Sequence, residues 1–92
     1  MPIAFRPAAA DDYEYCERLY FDEMTWIMDQ LRLDRVAQQG GFRVQWILAQ
    51  VRIITRGGFD VGWLQTTIQE DALFILQLFV DGPFQREALV PR

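Results

Sequence analysis

The sequence contains no lysine and no histidine, and it has a single cysteine in 92 residues. Imidazole is a common metal ligand and the usual general base near neutral pH, so we predict no metal site and no histidine-based catalysis. Cys16 has no partner within the chain for a disulfide. We interpret it as a small buried hydrophobic residue rather than a nucleophile, because no histidine is present to activate its thiol.

Long apolar segments are missing as well. The run "ALFILQLFV", from Ala72 to Val80, ends at Asp81, whereas a membrane-spanning helix needs about 20 apolar residues. The opening "MPIAFRP" lacks the charged start and the apolar run of a secretory signal. We therefore predict a soluble, cytoplasmic protein with no membrane partner.

Positive charge is scarce. The 13 acidic residues outnumber the 9 basic ones, all arginines, which gives a net charge of −4 and a pI near 4.6. An extended basic surface that follows nucleic-acid phosphates is not expected, so we predict no nucleic-acid partner. Hydrophobic residues make up 51% of the chain, enough for a packed core, although a chain of this length forms one small domain at most.

The N-terminal third predicts a strand followed by a helix. Ile3 to Arg6 alternates briefly between apolar and polar residues and is closed by Pro7, as in a short strand. Asp11 followed by Glu14 fits a capping box and predicts the start of a helix. That helix carries an apolar stripe at spacings of three and four, which we expect to be buried: Tyr13, Cys16, Tyr20, Met24, Ile27 and Leu31.

A second helix is predicted from Asp34 to about Trp46. The pair Gly40 and Gly41 costs it roughly 1 kcal/mol per glycine relative to alanine, so we expect this helix to be broken or mobile. Val51 to Thr55 is β-branched and runs into Gly57 and Gly58, which favours a strand that enters a glycine turn and a hairpin.

The last part of the chain predicts two further strands. Val61 to Gln69 alternates in polarity, and Ala72 to Val80 is almost continuously apolar. Such a continuous run is typical of a strand covered on both faces, so we expect Ala72 to Val80 to be an inner strand. The fold class is therefore predicted as α+β, with strand, helix and helix followed by a three-strand antiparallel meander.

This order of elements, together with the tail "LQLFVDGPFQR", resembles the first half of the GNAT superfamily of N-acetyltransferases. In that family the fourth strand runs into the acyl-CoA signature Gln/Arg-x-x-Gly-x-Gly/Ala. The residues at the corresponding junction here are Phe79, Val80, Pro83, Phe84, Gln85 and Arg86. The opening "FRPAAADDYEYCERLYFDEM" also looks like the first strand and helix of the family. The resemblance covers residues 3–86 and implies the N-terminal half of the acyl-CoA N-acyltransferase fold.

The resemblance implies transfer of an acetyl group from acetyl-CoA to an amine on a small molecule or a peptide. The pantetheine arm of acetyl-CoA would lie beside the fourth strand, held by the backbone N–H and C=O groups of Leu78, Phe79 and Val80. Those groups would also polarise the thioester carbonyl and stabilise its oxyanion. Gln85 and Arg86 would take part in cofactor binding at the signature junction.

The attacking amine must be neutral, so a base near the acceptor has to take its proton. Our candidates are Glu23, toward the end of the first helix, and Glu70, in a tight turn. The acidic helix face around Glu23 is most simply a solvated surface, although it could attract a cationic substrate. Trp26 and Trp63 are either core residues or pocket walls, and the core is the commoner place for them.

The end of the sequence, "EALVPR", supplies none of the signature glycines. Its last four residues equal the recognition stretch of thrombin up to the cleavage point. We expect residues 1–86 to be a partial GNAT-like domain cut within the signature, and residues 87–92 to be a vector-derived tail. On that interpretation this chain is incomplete and inactive, and its binding of acetyl-CoA is doubtful. The alternative is a natural short protein.

Two other functions are compatible with the sequence. One is a non-catalytic interaction module that forms a homo-oligomer through the strand Ala72–Val80, because an unpaired apolar strand recruits partners. The other is a small sensory domain that binds an apolar ligand between helix and sheet, which rests on the aromatic content alone.

Overall fold

The computed structural model describes residues 2–84 of the chain, which form one antiparallel sheet and a helix pair. In chain order the elements are strand β1, helices α1 and α2, and strands β2, β3 and β4: Ile3–Pro7, Tyr13–Leu31, Arg35–Gln45, Val51–Arg56, Phe59–Gln69 and Ala72–Val80. The strands lie in the order β1-β2-β3-β4. The predicted α+β class and its meander are confirmed. Gln85, Arg86 and the predicted tail 87–92 lie outside the described residues.

Two tight turns set the meander. Gly57 and Gly58 have φ angles of 58° and 84° and join β2 to β3, so the predicted glycine turn is confirmed. The turn between β3 and β4 also has two residues with positive φ, Glu70 at 52° and Asp71 at 66°. Backbone twist in such turns matches the twist of paired strands, so each strand folds back directly on the one before it. Glu70 therefore lies in a tight turn, as expected.

Helix α2 is continuous through Gly40 and Gly41, so the prediction of a broken helix is wrong. The Asp34 carboxylate caps its first turn by accepting a hydrogen bond from the Val36 N–H at 3.0 Å. Phe42, directly after the glycines, is only 2% exposed and lies in the core. Packing of Phe42 supports the helix, because tertiary contacts outweigh the weak helix preference of glycine.

The predicted capping box of Asp11 and Glu14 is also wrong. A short 3₁₀ turn, Ala10–Asp12, precedes α1, which begins at Tyr13. The carboxylate that organises this start belongs to Asp12, which accepts a hydrogen bond from the Ala9 N–H at 2.8 Å. Asp12 also accepts two hydrogen bonds from the guanidinium of Arg6 on β1, which ties the start of α1 to the first strand.

The helices cover one face of the sheet, and an aromatic cluster joins the two layers. Of the predicted α1 stripe, Cys16 is fully buried and Tyr13, Tyr20 and Met24 pack on the core, whereas Leu31 is 62% exposed at the helix end. The rings of Phe42 on α2 and Trp63 on β3 meet edge to face, with centroids 5.9 Å apart. Trp63 is fully buried, so a core position is correct for it. Trp26 is 66% exposed, and a core position is wrong for it.

The strand β4 lies at the margin of the sheet, so the prediction of an inner strand is wrong. Within residues 2–84 it pairs with β3 alone. Most of its apolar side chains are exposed: Leu73, Phe74, Ile75, Leu76 and Leu78. An apolar run predicts a strand reliably, but the number of its neighbours depends on the order of strands in the whole sheet.

Candidate functional site

The candidate site is the open edge of β4 near its C-terminal end. The N–H of Asp81 donates to the carbonyl oxygen of Val61 at 2.8 Å. Because hydrogen bonding alternates along antiparallel strands, Phe79 directs its N–H and C=O toward β3, and Leu78 directs its own toward the open edge. Val80 has the same orientation as Leu78 but already has an interaction of its own. Of the three residues whose backbone groups were predicted to hold the pantetheine arm, Leu78 offers the outward contact.

A β-bulge lies directly beside Leu78. Gln65 on β3 is opposite Gln77 and the next residue, Thr66, is opposite Ile75, which leaves Leu76 as an extra residue on β4. A bulge increases the local twist and interrupts the ladder, and bulges often lie next to active sites. The bulge therefore separates the outward backbone groups of Ile75 from those of Leu78. The spacing and twist of the edge at Leu78 differ from those of a regular strand.

The backbone at Leu78 is held firmly by its neighbours. The ring of Phe79 lies 5.3 Å from that of Tyr20 on α1 and 5.4 Å from that of Trp63 on β3. Opposite, Gly62 lets the two strands approach closely: a Cβ at this position would clash with the carbonyl oxygen of Phe79 and lie 3.0 Å from the Cα of Val80. The position of the outward N–H and C=O of Leu78 is thus set by packing on the other side of the strand.

The two predicted bases lie in different places. Glu23 is on α1, one turn after Tyr20, whose ring contacts Phe79. Glu70 is in the β3–β4 turn, eight residues before Leu78 along an extended strand, which at about 3.4 Å per residue separates the two by roughly 25 Å. Glu23 therefore lies on the helix that contacts Phe79, and Glu70 lies at the opposite end of β4.

A cleft of about 440 Å³ opens on the helix-covered face, beside the bulge. It lies between the connection from α2 to β2 and the strands β3 and β4, and Ile47 and Leu76 form its apolar walls. Five glutamines line it: Gln45, Gln50, Gln65, Gln69 and Gln77. The sequence pattern did not indicate this site, although Gln65, Thr67 and Gln69 alternate along β3 and so share one face of the strand.

The buried titratable groups do not offer acid–base chemistry at neutral pH. Burial raises the pKa of the Cys16 thiol to about 12, in agreement with its interpretation as a small hydrophobic residue. Burial, with the nearby charges of Asp81 and Asp60, also raises the pKa of Tyr15 to about 12. Its hydroxyl is buried and has no hydrogen-bond partner among residues 2–84.

Arg6 forms the main ionic cluster. Its guanidinium binds both carboxylate oxygens of Asp12, at 2.9 and 3.0 Å, and reaches Asp60 at 3.0 Å. The hydrogen bond from Arg6 lowers the pKa of Asp12. This cluster joins β1, the start of α1 and β3, which is a structural role. In the described part of the chain, no three potential metal-binding side chains from histidine, cysteine, aspartate or glutamate come together.

Comparisons with protein-family models, with curated proteins and with solved structures found no match to this chain. No helix among residues 2–84 is long and apolar enough to cross a membrane. The functional hypotheses therefore rest on the sequence pattern and on the geometry of the β4 edge and of the cleft.

Proposed function

We propose that the chain belongs to an N-acetyltransferase, in which the open edge of β4 at Leu78 binds the pantetheine arm of acetyl-CoA for transfer of the acetyl group to an amine. The observation that carries this proposal is the outward N–H and C=O of Leu78, next to a bulge at Leu76. The chain order β1-α1-α2-β2-β3-β4, with the sheet order β1-β2-β3-β4, is compatible with the N-terminal half of the acyl-CoA N-acyltransferase fold.

The chemistry follows from these backbone groups. The pantetheine arm contains two amides, which pair with an open strand edge as an added strand would. An N–H directed at the thioester oxygen stabilises the negative charge that develops there during attack. The amine nitrogen forms a bond to the acetyl carbon, the carbon–sulfur bond breaks, and the CoA thiolate leaves and takes a proton from water, which regains it from the protonated base. Glu23 is the base that removes the proton from the amine.

The test is a titration of the ¹⁵N-labelled chain with acetyl-CoA, followed by NMR, with adenosine 3′,5′-bisphosphate as the nucleotide control. We expect saturable shifts of the Leu78 amide and its neighbours with acetyl-CoA and none with the nucleotide. Proline is tolerated at an edge position whose N–H points outward. The variant Leu78→Pro should therefore keep the fold and lose these shifts.

Leu73→Pro is the matched control for that experiment. Leu73 has the same outward orientation on the same edge, but it lies beyond the bulge from Leu78. It should bind acetyl-CoA as the unmodified chain does. Absence of binding to the unmodified chain, or equal loss in both proline variants, would exclude a thioester site at Leu78.

We propose as a second candidate function a non-catalytic module that self-associates through β4. The observation that favours it is the exposed apolar edge of Ala72–Val80, which carries no charged side chain. Edge strands usually carry charges or proline, which prevent pairing with another chain. The occupant of the edge would be β4 of a second copy, paired across a two-fold axis. Light scattering after size exclusion should show a dimer, and a monomer at high concentration would refute this function.

A further inference from the structure

The glutamine-lined cleft has the dimensions of a ligand site. Its volume of about 440 Å³ lies within the range of roughly 300–1,000 Å³ that small-molecule and cofactor sites occupy. Apolar surface from Ile47 and Leu76 is combined with hydrogen-bonding side chains, as in sites where a few polar groups set the orientation of a ligand.

The floor of the cleft is a fixed amide network around Gln65, which is only 1% exposed. Its Nε2 donates to the backbone carbonyl of Gln45 at 2.8 Å and to the Oε1 of Gln50 at 2.9 Å. Its Oε1 accepts a hydrogen bond from the Nε2 of Gln77 at 2.9 Å. A buried amide is costly unless it is hydrogen-bonded, and here both ends of the Gln65 amide are satisfied, so the network holds Gln50 and Gln77 in place.

The network does not use all the hydrogen-bonding atoms of Gln50 and Gln77, and the remaining ones are available to a ligand. Gln77 uses one N–H toward Gln65, and no partner for its Oε1 occurs among residues 2–84. Gln50 uses its Oε1, and its Nε2 donors likewise have no partner in that part of the chain. Thr67 and Gln69 add further donors and acceptors at the lining. The cleft thus offers both donors and acceptors at fixed positions.

None of the residues that line the cleft carries a charge. A charged ligand group would lose its hydration there without gaining an ion pair, which is unfavourable. A carboxylate is further disfavoured because Glu70 and Asp71 follow directly after Gln69. An amide, in contrast, offers one C=O and one N–H group, which match the free C=O of Gln77 and the free N–H groups of Gln50.

We propose that this cleft binds an uncharged, amide-bearing ligand of the class of a peptide segment. The proposal does not depend on acyl transfer or on the β4 edge. If the chain is an acetyltransferase, a ligand held here would lie on the same strand as Leu78, next to the bulge.

The experiment uses two probes of the same shape, N-acetylglutamine methylamide and N-acetylglutamate methylamide, which is charged at pH 7. Both are titrated into the ¹⁵N-labelled chain, and the side-chain NH₂ signals of the glutamines are followed by NMR. We expect saturable shifts of Gln50, Gln69 and Gln77 with the uncharged probe. The charged probe should bind about tenfold more weakly or not at all, a difference of about 1.4 kcal/mol.

Two variants sharpen the test. Gln69→Glu adds a charge at an exposed lining position outside the Gln65 network and should weaken the uncharged probe about tenfold without loss of fold. Gln30→Glu makes the same change on the exposed surface of α1 and should have no effect. Intact backbone spectra of both variants verify the fold.

Three results would overturn the proposal. One is equal affinity for the two probes, and another is an equal effect of the two variants. The third is a set of shifts confined to glutamines outside the cleft, such as Gln30 and Gln39, or no shifts at all. Because acetyl-CoA is absent from these titrations, none of these results depends on the function proposed for the β4 edge.

Discussion

The middle of the sheet and its β4 margin are built from similar residues but differ in their surroundings. Ile53 on β2 and Trp63 on β3 are fully buried beneath the helices, whereas Leu73 and Ile75 on β4 are 66% and 61% exposed. All four side chains are large and apolar. The difference shows that what covers a side chain, rather than its hydrophobicity, decides whether it belongs to the core or to the surface.

The two regions also differ in what they leave available. In the middle, rings from both helices and β3 form one cluster, in which Phe42 contacts Tyr13 and Trp63, and backbone groups are used by neighbouring strands. At the margin, the backbone of Leu78 and apolar side chains face outward. We therefore expect substitutions in the middle to act on stability and substitutions at the margin to act on binding.

The largest effect is expected from Trp63→Ala. Trp63 is fully buried and its ring contacts those of Phe42 and Phe79, so truncation should cost about 3–5 kcal/mol of unfolding free energy or abolish cooperative unfolding. Phe74→Ala on β4, where the side chain is about half exposed, should cost about 1 kcal/mol or less. Urea unfolding followed by circular dichroism measures both. Similar losses would mean that the margin is as well packed as the middle.

The next effect concerns the boundary between the two regions. Gly62→Ala would place a Cβ against the backbone of Phe79 and Val80 and force β3 and β4 apart, at a cost of about 1–3 kcal/mol. Gly40→Ala, in the middle of α2 with open space around it, should instead stabilise the chain by about 1 kcal/mol. Thermal and urea unfolding of both variants should therefore shift in opposite directions. A neutral Gly62→Ala would show that the two strands separate easily.

A smaller, pH-dependent effect is expected at Arg6. This residue lowers the pKa of Asp12 below its ordinary value of 3.8, so the stabilisation by this pair is present above that value and is lost as pH falls through the lower, folded-state pKa. Arg6 is partly exposed, so the contribution should stay below about 1 kcal/mol. Asp12→Asn should be less stable than the unmodified chain at pH 7, and the difference should shrink below about pH 4.

The control for that comparison is Asp22→Asn, which removes an exposed carboxylate of α1. It should change the unfolding free energy by less than about 0.5 kcal/mol at either pH. Urea unfolding of each variant and of the unmodified chain, at acid and at neutral pH, gives the change in unfolding free energy for each variant at each pH. A pH-independent loss in Asp12→Asn would show that ionisation of Asp12 does not stabilise the fold, because both the Arg6 and the Ala9 hydrogen bonds lower its pKa.

The smallest effect on stability is expected from Ile75→Lys at the margin. Ile75 is mostly exposed, so the change should lie within about 0.5 kcal/mol. A lysine on an edge strand opposes pairing with a second chain, so any dimer formed through β4 should dissociate. Light scattering measures the mass, and Val36→Lys on the exposed surface of α2 serves as the control. A dimer that survives Ile75→Lys does not use this edge.

Local patterns in the sequence determined the elements and their order. Alternation, β-branched runs and paired turn residues fixed strands such as Ala72–Val80, whose observed bounds equal the predicted ones, and placed Glu70 in a turn. These features depend on backbone geometry within a few residues. The continuity of α2 through two glycines was not predictable in this way, since it depends on where Phe42 finds its partners.

The sequence by itself thus determined an α+β chain with a helix pair and a meander. Only the tertiary structure decided that β4 is a margin, that Asp12 rather than Asp11 organises the start of α1, and that five glutamines meet in one cleft. The physical reason is that the place of β4 and the cleft depend on contacts between residues far apart in the chain, and the role of Asp12 depends on its ion pair with Arg6 on another element. Spacing within a segment shows which side chains lie on the same face of a helix or strand, but not which other element packs against that face.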